Sequence, residues 1–139
     1  MKILTAIDGS APSVRALRFV LRHQVSAEGA ELTLIHVDAP LTGHIASYLD
    51  EVAIAAYHAQ NRQAAMRRAR TVLREAGVDY EEAFGIGDVA DQIAAVARRG
   101  KFDMIAMGSH GRSAVGAIFL GSVVRKVLER SKVPVVVVR

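Results

Sequence analysis

Lys2-Ile3-Leu4-Thr5-Ala6-Ile7-Asp8-Gly9-Ser10-Ala11-Pro12-Ser13-Val14 contains a whole strand-to-helix junction. Residues 2–8 form a short apolar run ended by an acid and a glycine, the pattern of a buried strand meeting a turn. Ser10 suits an N-cap, because its hydroxyl can accept from the unpaired N–H groups of a first helical turn. Pro12 fits that turn, where a missing N–H costs little. Val14, Leu17, Val20 and Leu21 then recur at helical spacing and give one apolar face.

The same unit recurs to the end of the chain. Residues 32–37 read as a second strand, followed by a polar loop with Pro40 and Gly43 and a long helical region ending at Gly77. The apolar stripe of that region runs through Ile45, Leu49, Val52, Ala56, Ala59, Met66, Ala69, Leu73 and Ala76. It is long for a globular helix, so its first part is expected to break or become irregular. Residues 79–84 form the most polar strand and are expected at a sheet edge. Asp88 caps a helix whose Val89, Ile93, Val96 and Ala97 face inward, and Gly100 stops it. Residues 102–107 make a fourth strand, Val123, Val124, Val127 and Leu128 mark a last helix, and residues 133–138 close the chain as a fifth strand.

Strands separated by helices pair in parallel through right-handed crossovers. The pattern therefore predicts one doubly wound α/β domain over residues 1–139, with a five-stranded parallel sheet and helices on both faces. Ligands in such sheets sit beyond the carboxyl ends of the strands, where the winding reverses. Asp8 and Gly108 both follow strand ends, and they converge if the first and fourth strands are neighbours.

Composition narrows the partners. No apolar run approaches the ~20 residues a bilayer span needs, and the first apolar run is cut short at Asp8, unlike a signal peptide. With no cysteine there is no disulfide or thiolate chemistry, and a cytoplasmic location is expected. The net charge of +4 and pI near 9.9 favour an anionic partner. The densest basic group, Arg62, Arg67, Arg68, Arg70 and Arg74, has no interleaved aromatic residues to stack on bases. It reads as a solvated helix face, with neither nucleic acid nor membrane as partner.

The segment joining the fourth strand to the last helix is Gly108-Ser109-His110-Gly111-Arg112-Ser113-Ala114-Val115-Gly116-Ala117-Ile118-Phe119-Leu120-Gly121-Ser122. Its glycines suggest positive φ angles or close approach of backbone to a ligand. Successive N–H groups in such a loop form an anion-binding concavity. The helix N-terminus near Gly121 adds unpaired donors and the positive end of its dipole. Ser122 can offer a hydroxyl and Arg112 a charge-assisted contact. His110 is the histidine of this segment and reads as solvent-facing.

The spacing of Gly108, Gly111, Gly121 and Ser122, Gly-x2-Gly-x9-Gly-Ser, resembles the nucleotide-binding signature of the universal stress protein family. The likeness extends to Ala6-Ile7-Asp8-Gly9-Ser10, Ile35-His36-Val37 and the valine-rich residues 133–138. It implies strand order 3-2-1-4-5 and an ATP- or AMP-binding stress-response regulator. Ala6 and Asp8 would line the adenosine end, and Val37 would bond adenine through its main chain. Gly108, Ser109, His110, Gly111 and Arg112 would follow ribose and phosphates, and Gly121, Ser122 and Val123 would close on the phosphate chain. Magnesium, if carried by the nucleotide, would lie near Asp8. The strand from Val133 to Val138 would then be an open apolar edge that a second copy covers, giving a homodimer.

Other motifs are weaker. Gly85-Ile86-Gly87-Asp88-Val89-Ala90 matches a dinucleotide fingerprint, but no acid ends the next strand, and Asp88 as an N-cap explains it. There is no P-loop lysine. His23, His36, His44, His58 and His110 show no metal-ligand spacing. No catalytic residue can be named, so slow ATP hydrolysis or phosphotransfer, and a dimeric module that uses no nucleotide, stand as alternatives.

Overall fold

The structure, a computed structural model, describes residues 1–24, 29–110 and 120–139. Strands and helices alternate: β1 (Lys2–Ala6), α1 (Ala11–His23), β2 (Glu31–Asp38), α2 (Gly43–Ala46), α3 (Glu51–Ala76), β3 (Glu81–Ile86), α4 (Val89–Arg99), β4 (Met104–Gly108), α5 (Ser122–Arg130) and β5 (Val135–Val138). The strands form one sheet in the order β3-β2-β1-β4-β5, and every pairing is parallel. Both the expected topology and the edge position of β3 and β5 are observed. Among the described residues no helix is long and apolar enough to cross a membrane.

The two-residue period of the strands divides the core. Ile3, Leu32, Leu34, Met104 and Ala106 pack beneath α1 and α3, with Leu17, Val20, Met66, Ala69 and Leu73. Leu4, Ile35, Val37, Ile105 and Met107 face α4 and α5, with Ile93, Ala97, Val124 and Val127. Central strands buried on both faces read as unbroken apolar runs for this reason.

Helix ends follow side-chain chemistry. Ser10 Oγ accepts from the Ser13 N–H at 3.3 Å, Asp50 from Ala53 at 2.7 Å and Asp88 from Asp91 at 3.0 Å. The long helical region does break, into α2 and α3, with Asp50 capping the second piece. The apolar stripe is not one buried face. Only Ala65, Met66, Ala69 and Leu73 of α3 are buried, whereas Ile45, Tyr48, Leu49 and Val52 are 38–78% exposed. Two contacts fasten α3 to edge strand β3: Arg70 grips Glu82 through two 2.7 Å bonds, and the Arg62 guanidinium lies 4.4 Å from the Phe84 ring centre.

Candidate functional site

The register that makes β1 a neighbour of both β2 and β4 brings three strand ends together. Asp8, at the first, builds the turn into α1. Its Oδ1 accepts from the Ser10 N–H at 2.9 Å and from the Ser10 hydroxyl at 2.5 Å, while Ser10 caps the helix. Gly9 takes φ +82°, and a Cβ there would lie 3.1 Å from Ala65 Cα, so this turn needs glycine for conformation and for the approach of α3. Among the described residues Asp8 Oδ2 has no hydrogen-bond partner. The turn-forming role and a free carboxylate oxygen therefore coexist.

At the second end, Ile35 O accepts from the Ile7 N–H at 2.8 Å, the last rung between β1 and β2. Backbone groups in a parallel strand alternate sides, so Val37 aims its N–H and C=O the same way as Ile35, past the end of β1. The side chain of Val37 is only 8% exposed, which leaves its main chain as the part available to a ligand. Ala6 is half-buried one rung below.

At the third end, Ser109 N–H donates to Val138 O at 2.8 Å, and Gly121 N–H donates to Ser109 O at 2.8 Å. The two ends of the glycine segment are thus pinned together, bringing Gly108, Ser109 and His110 beside Gly121, Ser122 and Val123. Gly111 and Arg112, also expected at the site, lie outside the described residues. The first backward bond of α5 runs from Arg125 N–H to Gly121 O at 3.1 Å, and no side chain caps this helix. The N–H groups of its first turn are the unpaired donors that an anion would satisfy. No acid occupies that turn.

Two expectations about this segment change. Neither described glycine of the motif has a positive φ: Gly121 sits at φ −59°, and Gly108 is not among the left-handed glycines. A Cβ on Gly108 would come within 2.5–2.7 Å of Pro12 backbone and ring atoms. Glycine is therefore required there for packing of α1 on β4. His110 is also not solvent-facing: Ser109 Oγ lies 2.6 Å from its Nδ1, and its Nε2 is buried without a partner among the described residues.

A polar cluster beside the site was missed by sequence reading. Asp38 Oδ2 accepts from His58 Nδ1 and Asn61 Nδ2, both at 2.7 Å. Burial pushes the Asp38 carboxyl up, but the bonds from Asn61 and His58 prevail and hold it below the ordinary carboxylate range. His36 Nδ1 lies 2.9 Å from Ile7 O. Their sequence separations of 20–29 residues carry no short-range signal. The dinucleotide-like Gly85-Ile86-Gly87 is a structural turn, in which Gly87 N–H donates to Asp38 O at 3.0 Å and Asp88 caps α4. Among the described residues no group of three or more His, Asp or Glu could hold a metal ion.

The family model described as "Universal stress protein family" matches residues 1–139. The chain is 34% identical over 142 residues to a Thermus aquaticus protein, "Universal stress protein in QAH/OAS sulfhydrylase 3'region", covering 99% of this chain and 97% of that one. Its fold superimposes on MJ0577 of Methanocaldococcus jannaschii with TM-score 0.82 at 27% identity, covering 99% and 94% of the two chains. A universal stress protein solved in complex with cAMP matches with TM-score 0.71 at 25% identity, over 100% and 97%.

Proposed function

The chain belongs to the universal stress protein family, and we propose that it is an adenine-nucleotide-binding regulator acting as one domain in the cytoplasm. The observation that carries this reading is the Gly121-to-Ser109 bond, which sets the uncapped N-terminus of α5 against the end of β4. Donors and dipole there suit phosphate, with Ser122 and Val123 in the first turn. Val37 offers an outward N–H and C=O to the edge of adenine, and Asp8 Oδ2 offers an acceptor to ribose or a ligand for nucleotide-bound magnesium. Gly111 and Arg112 would complete the phosphate contacts. The relative solved with cAMP makes adenine the base of choice.

Among the described residues none is placed to activate water, which supports bound ATP or AMP acting as a signal. Edge strand β5 provides the means of assembly: its four valines are half-buried and pair only with β4 on one side, which suits a second copy. Chromatography of the small molecules released by denaturing freshly purified protein, with titration of AMP and ATP into stripped protein, tests the reading. Adenine nucleotide in the released pool and saturable binding are expected. Stripped protein that binds neither, and shows no nucleotide-dependent rise in melting temperature, would refute it.

A further inference from the structure

α3 is longer than the sheet beneath it. At about 1.5 Å per residue its 26 residues run about 39 Å, whereas the 8 residues of β2 span about 26 Å. Its second half is seated on the core; its first half overhangs the carboxyl ends of β2 and β3. Between overhang and sheet opens a cleft of about 770 Å³, within the ~300–1,000 Å³ of small-molecule sites.

Strand parity sets what this cleft displays. Leu32 and Leu34 face α1 and α3, so His36 and Asp38 share that face. The register places Phe84 beside His36 and Ile86 beside Asp38. Ile54 and Ala59 of α3 supply apolar wall opposite. Ile86 is 52% exposed and Phe84 39%, an apolar surface that the folded chain leaves uncovered.

Arg62 also lines the cleft, its guanidinium turned onto the Phe84 ring, and the polar atoms left unpartnered there are acceptors. Ile7 O can only accept, so His36 Nδ1 carries a ring proton, and in the uncharged tautomer Nε2 is an acceptor. His36 is 3% exposed, lines the cleft, and leaves Nε2 unpartnered among the described residues. Asp38 receives both its donors on Oδ2, so Oδ1 is a second acceptor with no donor among the described residues. A buried acceptor left unpaired is costly, and Glu51 adds a further carboxylate at the rim.

We propose that this cleft is a second ligand site, taking a small molecule with an apolar body and a hydrogen-bond donor: an amine or alcohol, not an acid. The apolar part lies against Ile54, Ala59 and Ile86, and the donor reaches Asp38 and the His36 acceptor. The site does not depend on the nucleotide reading, since it uses the α3 face of β2 and β3 and not the glycine segment.

The test compares 2-phenylethylamine, 2-phenylethanol and phenylacetate by titration calorimetry and histidine-ring NMR of the whole protein. Saturable binding of the amine and alcohol is expected, with the acid roughly tenfold weaker or more. Ala59→Phe, which fills the cleft, should weaken the amine roughly tenfold and leave AMP affinity unchanged. Asp38→Asn keeps the shape and should erase the preference for amine over acid, which stays readable if Ala59→Phe misfolds. Equal binding of the acid, full amine affinity in a folded Ala59→Phe, or competition of AMP with the amine for one site would each overturn the proposal.

Discussion

Two glycines of one motif should fail in opposite ways when substituted. In Gly108→Ala the new Cβ falls 2.5 Å from Pro12 C and 2.6 Å from Pro12 O, far inside ordinary contact and against backbone that no rotamer change can move. Overpacking costs about 1–3 kcal/mol; with helix α1 having to shift on β4, about 3 kcal/mol is the expected loss. For a chain of this size that lowers the melting temperature by roughly 10 °C. Gly121 sits at φ −59°, ψ 153°, which valine adopts without strain, and losing an N-cap glycine to a residue without a capping oxygen costs about 1 kcal/mol. Gly121→Val should therefore keep its melting temperature within a few degrees while its side chain, at the mouth of the α5 N-terminus, removes AMP and ATP binding. Urea unfolding of nucleotide-free protein and calorimetric titration separate the two effects. Nucleotide-free Gly108→Ala as stable as the parent would refute the packing role of Gly108. Unchanged nucleotide affinity in Gly121→Val would refute the phosphate cradle.

Other consequences follow from single contacts. The Asp38 carboxyl is held below its ordinary range in the folded chain, so its stabilising contribution is complete above the unfolded-state value and disappears as pH falls through the lower folded one. Asp38→Asn should accordingly flatten the acid limb of stability measured by urea at stepped pH between neutrality and the carboxylate range; an unaltered limb would remove Asp38 from the account. Glu82→Gln breaks the two-pronged Arg70 clip on a partly exposed pair and should cost about 1 kcal/mol, less in high salt, as read by the urea midpoint. In β5, Pro134 O and Val138 O both accept from β4, so the backbone groups of Val135 and Val137 face outward. Val137→Pro deletes an outward N–H and spares the ladder; sedimentation velocity should find the proposed dimer converted to a folded monomer, and a persistent dimer would place the interface elsewhere.

Which of these features could be read from the sequence depends on the range of the interaction behind each. Caps at Ser10 and Asp88 and the two-faced burial of β1 and β4 arise from neighbours within a few residues, and they were legible. Strand order was not contained in any period; it came from the family likeness of Gly108, Gly111, Gly121 and Ser122. Boundaries moved where partners stop: β1 ends at Ala6 rather than Asp8, and β5 begins at Val135, just after Pro134, which has no N–H to donate.

Two features hidden from the sequence have one cause. A helical stripe reports a face, not what covers it, so Ile45, Leu49 and Val52 looked like core although α3 outruns the sheet. A glycine reports missing volume, not which atoms use it, so the motif alone does not show that Pro12, 96 positions away, packs against Gly108. The same reasoning explains why the Asp38 cluster went unread. His36, in an apolar strand, has the spacing of a core residue, and only the meeting of its Nδ1 with Ile7 O leaves Nε2 as the unpartnered nitrogen among the described residues. In this chain the glycine motif is local and legible, whereas the acceptors of the proposed second site exist only once β1, β2 and α3 have come together.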